Sequence, residues 1–177
     1  METIQTIKTR RAVRSWNDQD IPDRTLSQIL EAGRFSPSPL NSQPWHFIII
    51  RRKETMTNLS STAHHGSYLA QANVIIVVTV DKNYPIDQWL SEHEQHIYSG
   101  VCALQNMWLA AWDLGIGGGW VTVDDMTTRK FLDIPNDQCI LGSLALGYPK
   151  VPPASHSEDD RKPLAEIVFY EKYGIKK

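Results

Sequence analysis

The sequence predicts an α+β fold, with a mixed and mostly antiparallel central sheet flanked by helices. Three observations predict it. Residues 46–51 and 74–80 are short apolar runs rich in β-branched side chains, which suits strands covered on both faces and requires helices on either side of them. Residues 92–114 form the longest helical pattern, with Ile97, Val101, Leu104, Trp108, Ala111 and Trp112 along one broad face. Helical and strand patterns then interleave along the chain, with no internal repeat and no second domain, so residues 1–177 read as one domain.

The elements follow in order. Residues 3–9 read as a short helix with Ile4 and Ile7 on one face. Pro22 introduces a second helix over 23–33, in which Leu26, Ile29 and Leu30 recur at helical spacing, and Pro37 forbids its continuation. The strand runs 46–51 and 74–80 come next, and then the helix over 92–114. Gly115, Gly117, Gly118 and Gly119 end that helix and permit backbone conformations closed to other residues. Residues 120–123 read as a short strand, Asp124 or Asp125 caps a helix reaching about Leu132, Ile134-Pro135 breaks it, and 139–146 form another strand. Residues 149–163 are rich in Pro, Ser and acidic side chains and read as a surface connection, while 164–170 alternate well enough for a last strand.

A chain of 177 residues with 41% hydrophobic and 21% charged residues is an ordinary globular domain with one core. Its net charge of −2 gives no general attraction to nucleic acid or an anionic membrane, so neither is an expected partner. No apolar run of bilayer-spanning length occurs, and residues 1–10 lack the apolar stretch of a signal peptide, so a cytoplasmic location is expected. Cys102 and Cys139 sit in apolar segments without metal-ligand spacing and read as buried thiols, which fits a reducing compartment.

Chemistry concentrates in two segments. Residues 9–16, TRRAVRSW, offer Arg10, Arg11 and Arg14 within five positions, and guanidinium forks match phosphate oxygens. Residues 36–47, SPSPLNSQPWHF, form a stiff polar turn in which Pro37, Ser38, Pro39, Asn41 and Gln43 can meet a planar heterocycle, because side-chain amides both donate and accept. A phosphate site beside an amide-rich rim suggests a mononucleotide cofactor.

These two segments resemble the signature of the FMN-dependent nitroreductase family, a basic Arg-Arg-Ser-x-Arg-x-aromatic run followed by Ser-Pro-Ser-x-x-Asn-x-Gln-Pro-Trp. The likeness extends through 115–122, Leu146-Gly147-Tyr148-Pro149 and Arg161-Lys162-Pro163. One position departs from it: Ala12 stands where the family carries serine, so the hydroxyl to the phosphate is absent and backbone amides and arginines must compensate. The resemblance implies a nitroreductase-like fold and an intertwined homodimer with two FMN sites at the subunit interface. It places Arg10, Arg11, Ala12, Arg14, Arg161 and Lys162 around the cofactor, with Arg14 toward the pyrimidine end, where a positive charge favours the reduced anionic flavin. It brings the loop of Pro37, Ser38, Pro39, Asn41 and Gln43 to a flavin held mainly by the other subunit. It turns the backbone of Gly119, Trp120, Val121 and Thr122 toward the hydride-accepting nitrogen.

Other readings of the same residues are weaker. Gly115-x-Gly117-x-x-Trp120 lacks the third glycine of a dinucleotide fingerprint and follows a helix instead of a strand. His93 and His96 are three residues apart where a zinc helix needs four, so no metal is expected, and the adjacent His64 and His65 read as a surface turn with diverging side chains. No Ser-His-Asp set, catalytic cysteine signature or paired carboxylate stands out, which suits an enzyme whose cofactor performs the chemistry. The implied activity is ping-pong hydride transfer from NAD(P)H through FMN to electron-poor acceptors such as nitroaromatics or quinones. The same fold and cofactor could instead serve a dehydrogenase, a reductive dehalogenation, flavin breakdown or a non-catalytic flavin-binding dimer.

Overall fold

The computed structural model describes residues 2–82, 87–155 and 161–177. The helices are α1 Thr3–Thr9, α2 Asp23–Arg34, α3 Lys53–Thr62, α4 Gln88–Glu92, α5 Gln95–Asp113, α6 Asp125–Phe131 and α7 Leu164–Ile167. The strands are β1 Trp45–Ile50, β2 Val74–Asp81, β3 Gly117–Val121 and β4 Gln138–Gly147, in the sheet order β1-β2-β4-β3. All three strand pairs are antiparallel, and the parallel component is confined to a bridge between Ala12 and Gly118.

The apolar run of β2 becomes a central strand because both of its faces are covered. Residues 74–80 are all buried. On one face Ile75 and Val77 join Met56 and Leu59 of α3 with Tyr68, Leu69 and Val13. On the other, Val74, Ile76 and Val78 join Ile29 of α2 and Leu104, Met107 and Trp108 of α5. Burying each such side chain stabilises by roughly 1.5–3 kcal/mol, so this strand anchors both layers.

The structure departs from expectation at four places. The pattern over 92–114 splits into α4 and α5, because Glu94 takes a left-handed conformation (φ 54°) between them. Among the four glycines after α5, Gly115 alone is left-handed (φ 79°), whereas Gly117, Gly118 and Gly119 are the extended first residues of β3. The expected last strand over 164–170 is instead the single helical turn α7 followed by irregular chain, and among the described residues it joins no strand of the sheet. Helix α3 and the 3-10 turn Ser67–Gln71 arise where the sequence shows no clear apolar period. Residues 83–86, and residues 156–160 of the connection over 149–163, lie outside the described residues.

Two minor expectations also change. The rings of His64 and His65 do not diverge but meet edge to face at 4.3 Å, on an exposed turn. Cys102 and Cys139 are free thiols but only half-buried, and burial raises the Cys139 pKa. Among the described residues no helix is long and apolar enough to cross a membrane, and no cluster of three His, Cys, Asp or Glu could hold a metal.

Candidate functional site

The site grows from the glycine strand at the edge of the sheet. Gly117, Gly118 and Gly119 present no side chains, so other groups sit directly on the β3 backbone. A Cβ on Gly117 would lie 2.6 Å from Val13 Cγ2, and one on Gly119 would lie 3.0 Å from the Val13 carbonyl and 3.2 Å from the Tyr68 ring. This closeness lets the N-terminal segment dock as an extra edge. Val13 N–H donates to the Gly118 carbonyl at 2.9 Å, and the buried Trp16 indole N–H donates to the Gly117 carbonyl at 3.0 Å.

Docking this segment puts Arg10 and Arg14 on either face of the β3 edge, each seated on an aromatic ring. The Arg10 guanidinium carbon lies 3.9 Å from the centroid of Trp108, whose indole packs against Gly118 from the α5 face. Arg14 lies 5.7 Å from the ring centroid of Tyr68, which packs against Gly119 from the α3 face. Arg161 returns to the same neighbourhood: burial, the charge of Arg161 and the charge of Arg11 together lower the Arg10 pKa. Such a concentration of positive charge is costly unless an anion offsets it. Among the described residues the arginine ion pairs form elsewhere, at Arg34, Arg51 and Arg129.

The other predicted residues divide. Arg11 directs its guanidinium to the backbone carbonyls of Lys8, Thr9, Arg10 and Ala154, with bonds of 2.8–3.2 Å, and so ties the N-terminal segment to the chain near residue 154. Ala12 supplies the bridge to Gly118, and Lys162 is exposed. Trp120 is 37% exposed on β3, Val121 is buried, and Thr122 is exposed just past the strand.

The loop of Pro37, Ser38, Pro39, Asn41 and Gln43 lies at the opposite corner of the sheet. It precedes Trp45, which pairs with Val80 near the end of β2, whereas Gly117 pairs with Gly147 at the far end of β4, beyond the start of β2. Leu40, Asn41 and Gln43 are left-handed there, with φ between 48° and 53°. The loop is stiffened by Gln43 N–H donating to Ser38 Oγ at 3.0 Å and by the Gln43 amide donating to the Asn41 carbonyl at 3.2 Å. One chain therefore brings together its arginines and glycine strand but holds its amide loop away from them.

A model of the nitroreductase family matches this chain over residues 7–67 and 56–148. The chain belongs to the nitroreductase family. A protein of Archaeoglobus fulgidus whose name joins NADH dehydrogenase with NAD(P)H nitroreductase is 34% identical over 168 residues, covering 90% of this chain and 92% of its own. The FMN reductase (NAD(P)H) of Bacillus subtilis is 26% identical over 164 residues, covering 84% and 66%. Among solved structures, a Desulfovibrio desulfuricans protein described as a nitroreductase in complex with FMN matches with a TM-score of 0.80 at 29% identity, over 98% of each chain.

In this nitroreductase-family chain, two residues of the site escape sequence reasoning. Tyr68 lies in an aperiodic stretch, and no local pattern sets it apart from the neighbouring polar turn. Trp108 reads as a core residue of α5, and so it is, at 8% exposure; that its ring also carries Arg10 depends on chain docking that no local pattern encodes.

Proposed function

We propose that this chain is an FMN-dependent oxidoreductase that uses NAD(P)H to reduce electron-poor acceptors such as nitroaromatics or quinones, working as a homodimer by a ping-pong cycle. The observation that carries the reading is that the segment docked on β3 sets Arg10 and Arg14 beside that strand, with Arg161 close enough to Arg10 to act on its charge. The residues present suit FMN. Clustered guanidinium groups match a phosphate and the electron-rich end of a flavin. Ala12 offers no hydroxyl and the Val13 N–H is spent on Gly118, so the arginine side chains carry the anion.

FMN bound here supplies the redox chemistry, accepting hydride from a reduced nicotinamide and passing electrons to the second substrate. The chain supplies position and charge. Arg10 and Arg161 hold the phosphate, Arg14 faces the pyrimidine end, and Gly119 to Thr122 line the ring with backbone. Arg11 serves as a strut for the N-terminal segment, and Lys162 adds charge at the rim. Asn41 and Gln43 line the polar edge of the flavin bound by the other subunit, a reading supported by their distance from the arginines of their own chain.

Dimerisation also accounts for the tail. Residues 164–177 contain no buried side chain although Leu164, Ile167, Val168, Tyr170, Tyr173 and Ile175 are apolar or aromatic, Tyr173 being 92% exposed. An apolar arm of this kind gains its burial from a second copy.

The test is direct. The purified protein should be yellow, release FMN on denaturation, bleach when NADH or NADPH is added without air, and recover colour on adding a nitroaromatic or a quinone. A colourless protein that takes up no added FMN would overturn the proposal.

A further inference from the structure

We propose that Tyr68 is a positioning residue: its phenol holds the Arg14 guanidinium against the β3 edge and so sets how strongly the site favours reduced over oxidised FMN. The inference rests on the FMN reading above and adds to it a residue that neither the arginine motif nor the amide loop contains.

Tyr68 is held from several sides. It comes from the 3-10 turn Ser67–Gln71, which packs on α3, and is 9% exposed. Its ring lies 6.0 Å from that of Trp16, tilted by 52°, and its hydroxyl oxygen is 3.3 Å from where a Cβ on Gly119 would stand. Trp16 is itself fixed by its bond to the Gly117 carbonyl, so the phenol is tied to β3 twice.

Arg14 is exposed, and an exposed arginine is mobile: its side chain carries about 2 kcal/mol of rotamer entropy. The phenol supplies what the indole under Arg10 lacks, a hydrogen-bond acceptor, and it stands beside the Arg14 guanidinium, whose carbon lies 5.7 Å from the ring centroid. Burial raises the phenol pKa above 10, against the opposing pull of the Arg14 charge. The group is therefore a neutral phenol at physiological pH, able to accept from the guanidinium. A charge held in place before reaction stabilises developing negative charge more than one that must first be ordered. The two seats thus act differently, Trp108 giving Arg10 a flat face and Tyr68 giving Arg14 a direction.

Tyr68→Phe keeps the ring and its packing and removes only the acceptor. The expected result is FMN affinity within about threefold of the parent, with preference for reduced over oxidised FMN lowered about tenfold, equal to about 30 mV for a two-electron couple. Arg14→Gln should lower the potential as well, and the double variant should fall no further than Arg14→Gln alone. An unchanged potential in FMN-loaded Tyr68→Phe, or additive shifts in the double variant, would overturn the proposal. Should Tyr68→Phe fail to fold, the parent and Arg14→Gln proteins can be made with fluorotyrosine. One of the six tyrosine resonances should then move and its ionisation rise to higher pH on losing the arginine; no movement overturns the contact. This last measurement needs no FMN, so it judges the Tyr68–Arg14 contact even for a protein that binds no flavin, an outcome that would instead defeat the reading beneath it.

Discussion

Arg10 lies on the indole of Trp108, its guanidinium carbon 3.9 Å from the ring centroid, while Arg161 and Arg11 press on it electrostatically. Positive charge held this close to positive charge is strained until an anion arrives. Replacing Arg10 by alanine relieves the repulsion and removes the anion contact together. Arg10→Ala should therefore fold at least as stably as the parent but bind FMN some 10- to 100-fold more weakly, since hydrogen bonds to charged groups contribute about 1.5–3 kcal/mol. Titration of FMN fluorescence quenching measures this, and unchanged affinity would remove Arg10 from the phosphate site.

Trp16 joins the N-terminal segment to β3 through its indole N–H and the Gly117 carbonyl. Trp16→Phe leaves that buried carbonyl without its partner, at a cost of about 1–3 kcal/mol. Urea unfolding should show a lower midpoint with the slope retained. A midpoint equal to the parent's would mean that the segment is held by other contacts.

His96 lies 6% exposed in the first turn of α5, and burial lowers its pKa below 6.5 against the opposing pull of Glu94 and Asp81. The unfolded chain binds this proton more readily than the folded one, so the stabilisation is fully present above about pH 6.5 and is lost as pH falls toward the folded-state pKa. Thermal melting from pH 7.5 down to 5 should show the decline, and His96→Gln should flatten it. Parallel curves for the two proteins would exclude His96 as its source.

The tail from α7 onward adds no buried side chain to its own fold. Ending the chain at Pro163 should therefore leave the helical and sheet signals of circular dichroism in place while shifting the protein from dimer to monomer in sedimentation. A truncated chain that stays dimeric would place the interface elsewhere.

Much of the fold is legible because burial writes itself into composition. The seven buried residues at 74–80 are apolar but for Thr79, so β2 cannot be mistaken. α1 is readable to the residue because Arg10 leaves the helical conformation. The boundary of α5 is not, because the left-handed Glu94 lies inside an unbroken helical pattern and nothing in its side chain signals the turn. The tail misleads for the opposite reason: its alternating apolar residues suit a strand, but alternation alone does not dock a segment on the sheet, and among the described residues the tail joins none of its strands. In the site, the arginines are conspicuous through local density. Their aromatic seats are not, since Trp108 and Tyr68 meet them only after α5 and the turn at 67–71 close on β3.

Asn41 and Arg10 belong to diagonally opposite corners of one sheet, which has a genetic consequence. Each centre of the proposed dimer draws arginines from one chain and amides from the other, so two defective alleles can complement. Coexpressing Arg10→Ala with Asn41→Ala distributes the lesions unevenly in a mixed pair: one centre inherits both, and its twin inherits neither. Two inactive gene products would together restore one working centre in every hybrid molecule.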